Sequence, residues 1–108
     1  MKKFDPNYVL LEEMYNDEYY PDFLVDKVKA EIQKVIELLE SGETDVEIVQ
    51  EKLDEITCAI NDLQDEFDAN DSEIETVARD CIGETVYYVL KWFDIPIDEE
   101  EAIRERDW

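Results

Sequence analysis

Between Val46 and Phe67 the apolar residues Val46, Val49, Leu53, Ile56, Ile60, Leu63 and Phe67 recur at alternating separations of 3 and 4 residues. That heptad spacing places one continuous apolar stripe on a helix, the pattern of a helix packed lengthwise on nearly antiparallel neighbours. No other part of the chain sustains the pattern so strictly, so the stripe reads as the seam of a small bundle, not of an extended coiled coil. Thr44 with Glu47 is expected to form a capping box at its start, and Asp68-Ala69-Asn70-Asp71 the turn at its end.

The neighbours it needs are legible on both sides. Pro21 is expected to open a helix carrying Leu24, Val28, Ile32, Val35, Ile36 and Leu39, which Ser41-Gly42 ends, with Gly42 in the left-handed conformation of a C-terminal cap. Ser72 with Glu75 looks like a second capping box, followed by Ile74, Ala78, Cys81, Thr85, Tyr88 and Trp92. A second apolar line, Ile82, Val86, Val89 and Phe93, runs beside the first and marks this as the most buried helix. Thr85 to Leu90 has strong β propensity, but it continues a helix without a turn signal and has no second strand to pair with.

Shorter helices are expected at the ends. Asp5 and Pro6 read as the start of the first, with Phe4 stapled to Val9 and with Tyr8, Leu11, Met14 and Tyr15 inward. Asp98 and Glu101 read as the start of the last, with Arg104 and Arg106 near its end. The expected fold is therefore all-α: an antiparallel bundle of three long helices with a short N-terminal and a short C-terminal helix. Its 108 residues make one domain, and only two glycines and three prolines leave little material for loops.

Charge narrows the function. Against 32 acids stand 10 bases, a net charge of −22. Anionic lipid and nucleic acid repel such a surface, so neither membrane nor nucleic acid is expected as a partner. The acidity reads either as a solubility device or as attraction to a basic protein. Residues 37 to 76 are the most negative stretch, with 15 acids and one base, Lys52. Crowding there is expected to raise carboxylate pKa values.

Catalysis is not expected. The chain has no histidine, which removes the commonest general base and the Ser-His and Cys-His nucleophiles. Gly42 and Gly83 stand alone and build no phosphate loop. Glu37 and Glu40, followed after ten residues by Glu51 and Asp54, resemble the E-x-x-E and E-x-x-D constellation of the all-α nucleotide pyrophosphohydrolases. That resemblance implies four carboxylates holding Mg²⁺, but Glu51 and Asp54 fall opposite the heptad stripe, where a solvated face is the ordinary reading. No catalytic residue, metal site or cofactor is therefore assigned. Cys58 and Cys81 lie on different helices and read as free thiols of a reducing compartment, the cytoplasm, and no apolar run approaches a membrane span.

The segment from Met14 to Phe23 sets aromatics among acids and amides at a helix–helix corner. Tyrosines on a rigid elbow among charges have the composition of an interface hot spot, and equally that of a plug on the end of a core. The candidate partner-binding residues are Tyr15, Asp17, Tyr19, Tyr20 and Asp22 at this corner, with Asp54, Asp62 and Asp65 on the acidic helix. Glu75 and Arg79, four apart, read as a surface ion pair.

Two blocks, Tyr15-Asn-Asp-Glu-Tyr-Tyr-Pro-Asp-Phe-Leu-Val-Asp-Lys27 and Ser72-Glu-Ile-Glu-Thr-Val-Ala-Arg-Asp-Cys-Ile82, resemble a family of small acidic bacterial proteins catalogued as a domain of unknown function. The resemblance implies a compact helical bacterial protein and no activity. It draws attention to Tyr15, Tyr20, Asp22, Asp26, Glu75, Arg79 and Asp80. The functional expectation is an inhibitor or immunity-type protein that docks on a basic partner, for example a nuclease toxin. A DNA mimic and a Mg²⁺-dependent pyrophosphohydrolase are the alternatives.

Overall fold

The computed structural model describes residues 2–108. Among them there are five helices and no strand: α1 (Glu12–Tyr15), α2 (Asp22–Glu40), α3 (Val46–Ala69), α4 (Thr76–Trp92) and α5 (Glu99–Ala102). The molecule extends over 40 × 28 × 18 Å. No helix among the described residues is long and apolar enough to cross a membrane.

The backbones of α2 and α3 lie side by side, and α5 packs on α4. Lys27, near the start of α2, pairs with Glu66, near the end of α3. Their seam is the predicted stripe: Val49, Leu53, Ile56, Ile60 and Phe67 of α3 are buried, as are Leu24, Val28, Ile32, Val35, Ile36 and Leu39 of α2. Val46, at the top of the stripe, is the exception and is 40% exposed. Leu63 and Trp92, both expected to be buried, are half-buried. Gly42 takes a φ of 99°, the left-handed cap foreseen for α2.

Both capping boxes are corrected. Asp45, not Thr44, caps α3, its carboxylate accepting from the Glu47 N–H at 2.9 Å and the Ile48 N–H at 3.4 Å. A carboxylate one residue closer displaces the weaker threonine cap. Ser72 does not start α4. Asp71 turns left-handed, the Ser72 N–H closes on the Phe67 carbonyl at 2.9 Å, and the helix begins only at Thr76. Asp98 likewise precedes α5 without a side-chain cap bond, and Arg104 lies beyond that helix. The β-prone stretch Thr85 to Leu90 is helical, its Val86, Val89 and Leu90 buried.

The N-terminal segment departs most from expectation. No helix starts at Asp5 and no Phe4–Val9 staple forms; Val9 is exposed. Phe4 packs edge-on against Tyr8, Tyr88 and Trp92 at centroid distances of 6.0, 6.0 and 6.2 Å, and Tyr8 stacks on Tyr88 at 4.0 Å. The Tyr88 hydroxyl donates to Asp5 Oδ2 at 2.7 Å, and the Phe4 N–H to Glu40 Oε2 at 2.8 Å. Aromatic area buried against α4 outweighs the local helical signal. The strap then turns through Leu11, wholly buried at a left-handed φ of 58°, before α1 begins.

Candidate functional site

The tyrosine corner is built by the turn between α1 and α2. Asp17 accepts the Tyr19 N–H on its side chain at 2.9 Å and the Tyr20 N–H on its carbonyl at 3.1 Å, which fixes the turn that carries both tyrosines. Tyr20 points inward. It is 2% exposed, and its hydroxyl lies beside the Ala78 N–H at the start of α4 without closing a hydrogen bond. Burial, then the charges of Glu75 and Asp17, push its phenol up to about 12. Tyr20 is thus the core plug of this corner and offers a partner no surface, which corrects its assignment as a contact residue. Tyr15 is half-buried, and its hydroxyl donates to Asp26. Burial first, and then that bond, raise its pKa strongly.

What the corner shows to solvent is Tyr19, 38% exposed and edge-on to Tyr20, and Phe23, 52% exposed on the first turn of α2. Asp22 is exposed beside it. Partial desolvation raises the Tyr19 pKa, and the charges of Glu75, Glu73 and Asp68 add to it. The corner therefore meets the acidic turn between α3 and α4. Asp62 and Asp65 are exposed on the half of α3 that leads into this turn and make no ion pair among the described residues.

Asp54 stands apart. It lies eleven residues before Asp65, about 16 Å along the helix. Both of its oxygens are taken by Arg104, and Oδ1 also accepts from Gln50 at 3.0 Å. Burial opposes ionisation, but the bonds from Arg104 and Gln50 and the arginine's charge outweigh it, so the Asp54 pKa is lowered. This is opposite to the rise expected from crowding: Asp54 has a cation, and crowding does not act on it alone. Gln50 was not singled out in the sequence, and Arg104 was read only as a charge near the end of the last helix, although Gln50 and Asp54 sit at i and i+4, where an amide and a carboxylate meet on a helix.

The pyrophosphohydrolase constellation is dispersed. Glu40 holds the Phe4 N–H, Asp54 holds Arg104, and Glu37 and Glu51 are exposed. Among the described residues no three histidine, cysteine or acidic side chains converge on a metal site. Arg79 reaches Thr76 Oγ1 at 3.3 Å, and the expected Glu75–Arg79 ion pair is not formed. Cys58 is exposed and Cys81 buried, both free thiols.

No curated protein and no solved structure matches the chain. The profile of one family does, over residues 4–108 and so over nearly the whole length. Both blocks quoted above fall inside that span. The chain belongs to the family described as "Family of unknown function (DUF5713)".

Proposed function

We propose that the protein is an inhibitor or immunity-type binding domain that docks on a basic protein partner, for example a nuclease toxin, in the cytoplasm. One observation carries the reading: exposed Tyr19 and Phe23 stand at a corner that the carboxylates of Asp68, Glu73 and Glu75 frame. Apolar and aromatic area inside a ring of like charge is the layout of an anchor with a steering rim. The charge of −22 favours capture of a cationic surface and disfavours nucleic acid. Binding without catalysis is further supported by Asp54 and Glu40, which are engaged in structural contacts.

The scaffold of this reading is an antiparallel bundle of α2, α3 and α4. Tyr20 at the start of α2 sits beside Ala78 at the start of α4, and Phe4 links Glu40 to Trp92 at the ends of the same two helices. Both observations support it.

The test is a pull-down from the native host at low salt, followed by kinetics on the recovered protein. A basic partner whose association slows with added salt, and whose complex dissociates faster after Phe23→Ala, supports the reading. Partners that bind Phe23→Ala and Asp62→Lys variants unchanged would refute it.

A further inference from the structure

Between the first half of α4 and the segment 99–106, which includes α5, lies a cavity of about 210 Å³. At the ~30 Å³ that a water molecule takes in the liquid, it has room for roughly seven non-hydrogen atoms. Its lining mixes guanidinium and carboxylate groups with one apolar side chain, the buried Ile103.

The charges around it do not all cancel. Arg79 is half-buried, and its guanidinium reaches Thr76 Oγ1 at 3.3 Å. In a chain with 32 acids it makes no ion pair among the described residues. Glu99, half-buried on the α5 side, and Asp80, exposed on α4, line the same cavity and are likewise unpaired among the described residues. Arg106 and Glu100 hold each other at 3.5 Å. One free cation and two free carboxylates therefore face a single cavity without meeting.

An independent observation comes from the cavity's floor, which is bare backbone. Gly83 is buried in the middle of α4, where glycine is the weakest helix former after proline. A Cβ at this position would meet Glu99 Cδ and Ile103 Cδ1 at 3.5 Å, an ordinary van der Waals contact. The packing would therefore accept alanine, and the cost of glycine to the helix is not offset by a closer approach of α5. What glycine does here is keep the floor of the cavity open.

We infer that this cavity binds a free α-amino acid with a small aliphatic side chain: its carboxylate on Arg79, its ammonium on Glu99 and Asp80, and its apolar part over Gly83 and against Ile103. A guanidinium carries five donors in a fork that a carboxylate accepts in pairs, and the bond to Thr76 leaves most of them free. An ammonium carries three donors and no acceptor, which suits the two carboxylates. A ligand with only a negative charge would meet those carboxylates, and one with only a positive charge would leave Arg79 unanswered. A zwitterion answers both and adds no net charge. The cavity shares no residue with the tyrosine corner, so its occupancy does not depend on the docking reading.

The experiment is an NMR titration of the full chain with L-valine and, separately, with isobutyrate and isobutylamine, each of which keeps the branched stem and one of the two charges. The expected result is saturable shifts at the Gly83 amide and the Ile103 methyls with L-valine. Either single-charge analogue should bind about tenfold more weakly or worse, the loss of one charge contact. Arg79→Gln removes the charge at a half-buried position and should weaken L-valine binding roughly tenfold. Gly83→Ala should raise the melting temperature through its better helix propensity and still weaken binding roughly tenfold, because its methyl group takes up the floor. A glycine with a merely structural role would move the melting temperature and leave the affinity alone. An analogue that binds as tightly as L-valine, an affinity indifferent to either variant, or the absence of saturable shifts at Gly83 with L-valine would overturn the site.

Discussion

Arg104 clasps Asp54 through two parallel hydrogen bonds, Nε to Oδ1 at 3.1 Å and Nη2 to Oδ2 at 2.7 Å, tying the C-terminal segment to the middle of α3. The pair spans 50 residues of sequence and anchors a segment whose own helix has only four residues. Gln50 and Asn61 complete the attachment by donating to the backbone carbonyls of Glu101 and Glu105.

The first prediction concerns pH. The Asp54 pKa is lowered in the folded state, so its contribution to stability is present above the ordinary aspartate value of 3.8 and is lost as pH falls through the lower folded value. Arg104→Gln should raise the Asp54 pKa and modestly lower the melting temperature at neutral pH. The difference between variant and parent should vanish under acid. A ¹³C titration of the Asp54 carboxyl checks the first statement, and melting curves from neutral pH downward check the second.

The second prediction concerns Tyr20. Truncation to alanine empties the plug of the corner and should cost ~3–5 kcal/mol. Tyr20→Phe removes only a buried hydroxyl that has no hydrogen-bond partner, so it should be neutral or slightly stabilising. The raised phenol pKa adds a signature at high pH. Stability from a neutral phenol is complete below its ordinary value of 10 and is lost as pH rises towards about 12. Tyr20→Phe should therefore lose less stability than the parent between those limits, as melting temperatures on both proteins would show.

The third prediction concerns the seam. Ile60 is fully buried in the middle of α3. Ile60→Ala removes methyl groups and leaves a cavity, at a cost of ~2–5 kcal/mol. Val46→Ala, on the same stripe but 40% exposed, should change stability by less than about 0.5 kcal/mol. Urea denaturation of the two variants measures the contrast.

How much of this was legible follows from range. The stripe on α3 and the matching face of α2 are properties of periodicity within one helix, and Val49, Leu53, Ile56, Ile60 and Phe67 report it correctly, with Leu63 only half-buried. The N-terminal segment is decided by contacts 80 to 90 residues away, such as Tyr88 to Asp5 and Trp92 to Lys3. No window around Asp5 contains them, so the local signal of Asp5 and Pro6 prevailed in the sequence and not in the fold. The capping boxes failed for a related reason. Several acids compete for each helix start, and Asp45 differs from Thr44 by a single position. At the corner the composition identified the right segment, yet which tyrosine turns inward depends on Asp17 fixing the turn and on α4 being there to receive Tyr20.

The last prediction separates anchor from plug. If the corner docks on a basic partner, its exposed members should govern dissociation and the α3 acids association. Phe23→Ala and Tyr19→Ala should speed dissociation about tenfold or more and leave the melting temperature nearly unchanged, because both side chains already face solvent. Asp62→Lys and Asp65→Lys should slow association and flatten its dependence on salt, since both are exposed and free of ion pairs among the described residues. Tyr15→Ala supplies the contrast: it loses a half-buried ring and a hydrogen bond to Asp26, so it should lower the melting temperature first. Asp54→Lys should behave like a stability variant too, because it sets a cation against Arg104. Rates and melting temperatures measured on the same six proteins assign each residue to one role. If Phe23→Ala and Tyr19→Ala move only the melting temperature, the corner closes a core and the partner docks elsewhere.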